Sequence, residues 1–144
     1  ELPRINYEGH AGKLYRYLWG TGTKAEGDFL DCIVKIEVDA GQVTTWHIAG
    51  FYPGEAVFVP SPKAQAEDDG VLLSVVLDIG KDSSFLLVLD AATLEELARA
   101  EAPHAIPFLF HGNYFQDATL TRLHSPRNEI LDRTWTLPPV RKVD

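Results

Sequence analysis

Cysteine is almost absent from this sequence: Cys32 is the single one in 144 residues. An internal disulfide is therefore excluded, and so is a zinc site built on cysteine pairs. In its setting, DCIVKIEV, the thiol reads as a small buried hydrophobe. Basic clusters are lacking as well. The net charge is -8 with 13 Lys and Arg against 21 Asp and Glu, and neutralising a phosphate backbone needs grouped cations, so nucleic acid is not an expected partner. No run approaches the roughly 18 to 20 apolar residues that a membrane span needs, and the N-terminus carries no charged-then-apolar leader pattern. Those absences give the expectation of a soluble, cytoplasmic chain. Low-complexity segments and obvious internal repeats are missing too, and so are a Ser/His nucleophile arrangement, an acid/base dyad and a phosphate-cradling glycine loop. The Gly-Thr-Gly at 20–22 is too short and wrongly placed for a dinucleotide loop.

What is present is a β-rich globular composition, 45% hydrophobic and 24% charged. A chain of this size can bury roughly 68 to 70% of its unfolded surface, and one compact body is the prior. PRINYE, KLYRYLWG from Lys13, DCIVKIEV from Asp31 and QVTTWHI from Gln42 are enriched in β-branched and aromatic residues and bounded by Gly or Asp, which predicts consecutive antiparallel strands. Asp39-Ala40-Gly41 supplies a tight turn between two of them, making VKIEVDAGQVTTWHI a hairpin. The pattern continues with AVFVP, GVLLSVVLD from Gly70 and SFLLVLD from Ser84. The last two are nearly continuous apolar runs, expected where both strand faces are covered. ATLEELARAEA has helical propensity, with Leu94, Leu97 and Ala98 on one face, yet lacks a C-terminal glycine cap and sits among strands.

The chemistry concentrates at Ala102–Phe115, APHAIPFLFHGNYF. His111 ends an apolar run broken only by prolines. Gly112 lets the backbone pass close to a bulky neighbour, and Phe108 and Phe110 would keep water from the imidazole. A lone histidine in such a run is more often a hydrogen-bonded core residue than a ligand, although the neutral imidazole is also the commonest metal-ligating side chain. The other histidines have weaker settings: His10 in a glycine-flanked turn, His47 on a strand face beside Trp46, His104 after Pro103, and His124 in the C-terminal stretch.

Six segments carry a resemblance: ELPRINY at 1–7, GKLYRYLWG at 12–20, YPGEAVFVP at 52–60, EDDGVLLSVVLD at 67–78, FLLVLDAATLEELARAE at 85–101 and IPFLFHG at 106–112. In this order they resemble the C-terminal part of the carotenoid cleavage oxygenases, the family of the beta-carotene oxygenases, the retinal pigment epithelium isomerohydrolase and the lignostilbene dioxygenases. The resemblance implies an all-β fold, part of a seven-bladed β-propeller, of which residues 1–115 would make about three blades of an incomplete ring. Residues 116–144 would be an extension, with a short strand at Leu-Thr-Arg-Leu-His. It makes ELARAEA an outer strand after a DAATL turn, against its helical propensity.

The resemblance also implies a cofactor, Fe(2+), held on the propeller axis by four histidines, of which His111 resembles the last. Glu1 and Glu55 resemble glutamates that accept a hydrogen bond from the outer nitrogen of iron-bound histidines. A carboxylate there fixes the tautomer, aims the lone pair and raises the basicity of the ring. Ala56 follows Glu55 where the family usually has proline, and Leu109 precedes Phe110 where small or polar residues also occur; neither change removes a ligand or a carboxylate. Phe51, Phe108 and Phe110 are candidates for the wall of an apolar substrate tunnel. The implied activity is oxidative cleavage by dioxygen of a conjugated double bond in a carotenoid, apocarotenoid or stilbene, giving two carbonyl products. Alternatives are a non-catalytic propeller-like binding module and an isomerohydrolase acting on retinyl esters. The other three histidine ligands are expected from an N-terminal remainder of the propeller, so this segment alone is expected to be inactive. Any membrane contact would come through an apolar patch on parts outside this sequence.

Overall fold

Two antiparallel sheets form the structure, a computed structural model that describes residues 1–24, 29–108 and 110–115. The first sheet has the order β1-β2-β3, from β1 (Tyr17–Gly22), β2 (Cys32–Glu37) and β3 (Gln42–His47). The expected hairpin is β2–β3: Glu37 faces Gln42, and Gly41, at φ 64°, donates its N–H to the Glu37 carbonyl at 2.8 Å. That positive φ is what the turn asks of a glycine.

The second sheet comprises β4 (Phe51–Pro53), β5 (Val57–Pro60), β6 (Gly70–Asp78), β7 (Ser83–Asp90) and β8 (Glu96–Glu101). Its order is β4-β6-β7-β8, and β5 pairs with β6 as well. β4 and β5 are two halves of one edge strand: Pro53 faces Val76 and Val57 faces Leu73. Between those pairs, three residues (54–56) oppose two (74–75), the excess of one that defines a bulge. Gly54 bridges the break, donating its N–H to Val75 O and accepting from Ser74 Oγ, both at 2.9 Å. Glu55 sits at its centre.

The described strands make a three-stranded sheet and a second sheet of four positions, one of them shared by β4 and β5. The expectation counted PRINYE as a strand, but only Arg4 makes a bridge, to Trp19 on β1. Beyond it Asn6 turns the chain into α1 (Tyr7–His10), its side chain accepting from the Gly9 N–H at 3.1 Å. Asparagine is among the best helix N-caps, and Pro3 has no N–H for a ladder. The strand expected from Lys13 starts only at Tyr17, because Glu67 takes the amides of Arg16 and Tyr17 on its carboxylate at 2.8 and 2.9 Å.

β8 overrides its helical propensity. Asp90 Oδ1 accepts from the amides of Ala92 and Thr93, and Leu94, buried at φ 61°, reverses the chain. A positive φ stops a helix at that residue, and β7 offers a free edge on which β8 pairs antiparallel.

The core lies between the sheets. Trp19 is fully buried, stacks on Phe58 with ring centroids 4.6 Å apart and donates Nε1–H to the Ala91 carbonyl at 3.0 Å. Around it pack Ile33, Leu72, Val76, Phe85, Leu87 and Leu89. β6 shows why an apolar run need not be buried twice. Leu72 and Val76 face the core, whereas Leu73, Val75 and Leu77 floor an open cleft.

Residues 1–4 are strapped onto β1. The Thr21 N–H donates to Glu1 O at 2.8 Å, and Arg4 and Trp19 exchange backbone hydrogen bonds of 2.7 and 2.8 Å. The strap lies so close that a Cβ on Gly20 would meet the Glu1 carbonyl oxygen at 2.8 Å. Gly20→Ala should therefore lift the strap and cost about 1–3 kcal/mol, the range for forcing extra volume into a packed site. Urea unfolding checks this, with an unchanged midpoint counting against the close approach. The strand expected at 120–124 and His124 lie outside the described residues, and the second compact unit, Phe115–Asp144, is described only at Phe115. Among the described residues no helix is long and apolar enough to cross a membrane.

Candidate metal centre

The bulge between β4 and β5 turns Glu55 inward, leaving its side chain 5% exposed. A buried carboxylate must find donors or lose its charge, and Glu55 finds three. Oε1 lies 3.1 Å from His111 Nδ1. Oε2 accepts from the Gly112 amide at 2.8 Å and from Arg4 Nη2 at 2.9 Å. Burial pushes the Glu55 carboxyl up, but the hydrogen bonds from Arg4, Gly112 and His111 outweigh it and hold the group below its ordinary value. The same hydrogen bond to Glu55 raises Arg4.

An ionised carboxylate can only accept. The proton between Glu55 and a neutral His111 ring therefore sits on Nδ1, which leaves the lone pair on Nε2. His111 is 74% exposed at its side chain, and among the described residues no hydrogen bond engages Nε2. This is the donor chemistry of a metal-binding imidazole with an oriented outer nitrogen. The described residues contain no group of three or more His, Cys, Asp or Glu placed to hold a metal.

Beside His111 lies a cleft of about 200 Å³. Leu73, Val75, Leu77 and Leu86 form its floor, and Ile106 and Phe108 contribute from the segment that crosses it. That segment is pinned where Ser84 Oγ accepts from the Ile106 amide at 2.9 Å. Phe108 also packs on Phe29 with ring centroids 4.4 Å apart.

The other sequence candidates lie elsewhere. Phe51 is not a cleft residue: its ring packs edge-on against Phe85 at 5.2 Å, with the Arg99 guanidinium 5.4 Å from its centroid. β4 is antiparallel to the end of β6, which carries Phe51 past the cleft. Phe110 is 80% exposed and does not line the cleft. Glu1 is held by its backbone, with an exposed side chain. His47 Nδ1 pairs with the Asp31 carbonyl at 2.9 Å, and His10 Nδ1 with the Leu14 carbonyl at 3.1 Å. Arg4 was not among the candidates, and neither were the cleft-floor residues of β6. The alternate positions of GVLLSVVLD carried the signal for the second group; a need for some cation near Glu55 was the only signal for the first.

The family model described as "RPE65: Retinal pigment epithelial membrane protein" matches residues 1–116. This chain belongs to the RPE65/carotenoid oxygenase family. Among curated family members, "Carotenoid-cleaving dioxygenase, mitochondrial" of Mustela putorius furo is 47% identical over 116 residues, covering 79% of this chain and 21% of that protein. "Torulene dioxygenase" of Fusarium fujikuroi is 42% identical over 113 residues, covering 78% of this chain and 19% of that protein. The chain thus spans about a fifth of the length of the curated relatives it matches. Of solved structures in the family, cobalt-substituted Synechocystis ACO superposes with a TM-score of 0.76 at 30% identity, covering 81% of this chain and 25% of that one. An ACO/RPE65 chimera also gives 0.76, at 29% identity. The all-β architecture expected from the resemblance is the one observed, as part of the larger fold of these proteins.

Proposed function

We propose that this chain is a segment of an iron(II) dioxygenase that cleaves a conjugated carbon–carbon double bond of a carotenoid, apocarotenoid or stilbene into two carbonyl products. His111 supplies one of the imidazole ligands through Nε2. The observation that carries this reading is the buried Glu55 carboxylate facing His111 Nδ1 at 3.1 Å. Support comes from the dioxygenase relatives and from the solved relative that is a cobalt-substituted form.

When bound, Fe(2+) supplies the dioxygen chemistry that amino-acid side chains cannot. This chain's own part is to aim and to shelter. Glu55 holds the His111 ring in one tautomer with its lone pair pointing outward. Leu73, Val75, Leu77, Ile106 and Phe108 give an apolar wall next to that ring. A polyene or stilbene has no hydrogen-bonding groups along its conjugated chain, so burial against such a wall is how it would be held. Glu1 would serve a second histidine in the same way, with that ligand coming from the remainder of the propeller.

Full-length protein purified under reducing, anaerobic conditions is expected to carry one iron per chain. With dioxygen and a polyene or stilbene substrate it should yield paired carbonyl fragments detectable by mass spectrometry. Protein that binds no iron would instead be a binding module, and turnover of retinyl esters without oxygen consumption would point to isomerohydrolysis. Glu55→Gln should weaken iron retention or turnover roughly 10 to 100-fold, the scale for losing the carboxylate behind a ligating histidine. Parent iron content and rate in that variant would reduce Glu55 to a structural residue.

A further inference from the structure

The Glu55 carboxylate is divided between two tasks. Oε1 faces the imidazole, and Oε2 takes the Gly112 amide and Arg4 Nη2. The same Nη2 donates to the Gly112 carbonyl, and Asn113 Oδ1 stands 3.5 Å from both terminal nitrogens of Arg4. Among the described residues, every hydrogen bond that ties residues 110–115 to the rest of the protein ends on Glu55 or Arg4. Arg4 itself is anchored by its backbone pairing with Trp19, whose side chain is fully buried. The planar fork of a guanidinium fixes direction as well as charge, which a lysine ammonium does not.

We infer that Arg4 is a positioning residue for His111: it locks the rotation of the Glu55 carboxylate and clamps the backbone just after the imidazole, so that Nε2 is presented in one direction. This rests on the proposed iron reading. Arg4 touches neither metal nor substrate and acts through Glu55 and Gly112. Its ligand-aiming role differs from simple packing because the part exerted through Glu55 must depend on that residue being a carboxylate.

The test is a double-mutant cycle in full-length protein, read as Fe(2+) affinity by chelator competition, with thermal midpoints measured in parallel. Arg4→Met should weaken iron binding about tenfold, the lower end of what an outer partner contributes. In a Glu55→Gln background the same change should cost clearly less, only the Gly112 clamp remaining to be lost, since residues acting through one another are not additive. Arg4→Lys should recover part of the loss while leaving affinity below the parent, because the charge returns without the fork. Equal costs of Arg4→Met in both backgrounds, or parent affinity in Arg4→Met, would overturn the inference. Should Arg4→Met not fold, the Arg4→Lys comparison decides: parent affinity in that variant overturns the positioning role. His111→Ala separates this from the underlying reading. If that variant keeps its iron, the metal assignment fails whatever Arg4 does. If it loses iron while the Arg4 variants bind as the parent does, the Arg4 inference alone fails.

Discussion

His111→Ala in full-length protein should abolish alkene cleavage and sharply lower iron occupancy. The loss should exceed the roughly 10 to 100-fold expected when only the partner behind a ligand is removed, because the bond to the metal itself is gone and no carboxylate replaces it. Glu55 cannot step in: it is buried and committed to Arg4 and Gly112. His47→Ala is the matched control. That ring is engaged with the Asp31 carbonyl on the other sheet, and its removal should leave iron content and rate near the parent. Each variant must first show an unaltered thermal midpoint and strand content, since a misfolded protein would also lose activity. A folded His111→Ala protein that keeps full iron and turns over a polyene at the parent rate refutes the assignment.

Trp19→Ala should be the most damaging single change to stability, at about 3–5 kcal/mol for truncating a buried aromatic. Marginal stability of about 5–15 kcal/mol means that this removes a large share. Three contributions vanish together: the fully buried indole, its stacking on Phe58, and the Nε1 hydrogen bond to Ala91. The Ala91 carbonyl is then left without that donor. Because Trp19 also pairs through its backbone with Arg4, loosened packing there should reach the Glu55 site. Chemical denaturation measures the first effect, and a loss below about 1 kcal/mol would contradict the burial argument. Trp19→Phe, which retains a ring without the N–H, should lie between parent and alanine.

The strands that sequence alone reveals best are those whose side chains do most of the choosing. β2 and β3 are rich in β-branched residues, β6 and β7 are nearly continuous apolar runs, and the turn between β2 and β3 carries a local signal in Asp39-Ala40-Gly41. β8 was legible through the resemblance, the missing glycine cap and the flanking strands, against its own helical propensity, and pairing with β7 decides the outcome. The bulge at 54–56 was not legible, because the excess residue exists only relative to the register of β6. For the site, His111 and Glu55 could be named from motifs. Arg4 could not, although a buried carboxylate demands a cation; which cation answers depends on how a strap 51 residues away lies on β1. Phe51 and Phe110 illustrate the opposite limit. Aromatic identity suggested a tunnel wall, but the direction of β4 sends Phe51 to the Phe85 side, and Phe110, outside any strand, is exposed.

The three anchors of the site are far apart along the chain. Arg4 meets Glu55 across 51 positions, Glu55 meets His111 across 56, and Arg4 closes on Gly112 across 108. Contacts of such separation carry a large loop-closure entropy, the Arg4–Gly112 contact that of nearly the whole described chain, and non-local contacts of this kind are expected to form late. The imidazole is consequently aimed only once both sheets are in place, and an unfolded chain has no preformed site to occupy. On the proposed iron reading, metal captured by the finished arrangement and not by the open chain would add its binding free energy to the native state alone. In refolding, recovery of metal uptake should therefore trail recovery of strand signal, making loading a readout of completed assembly.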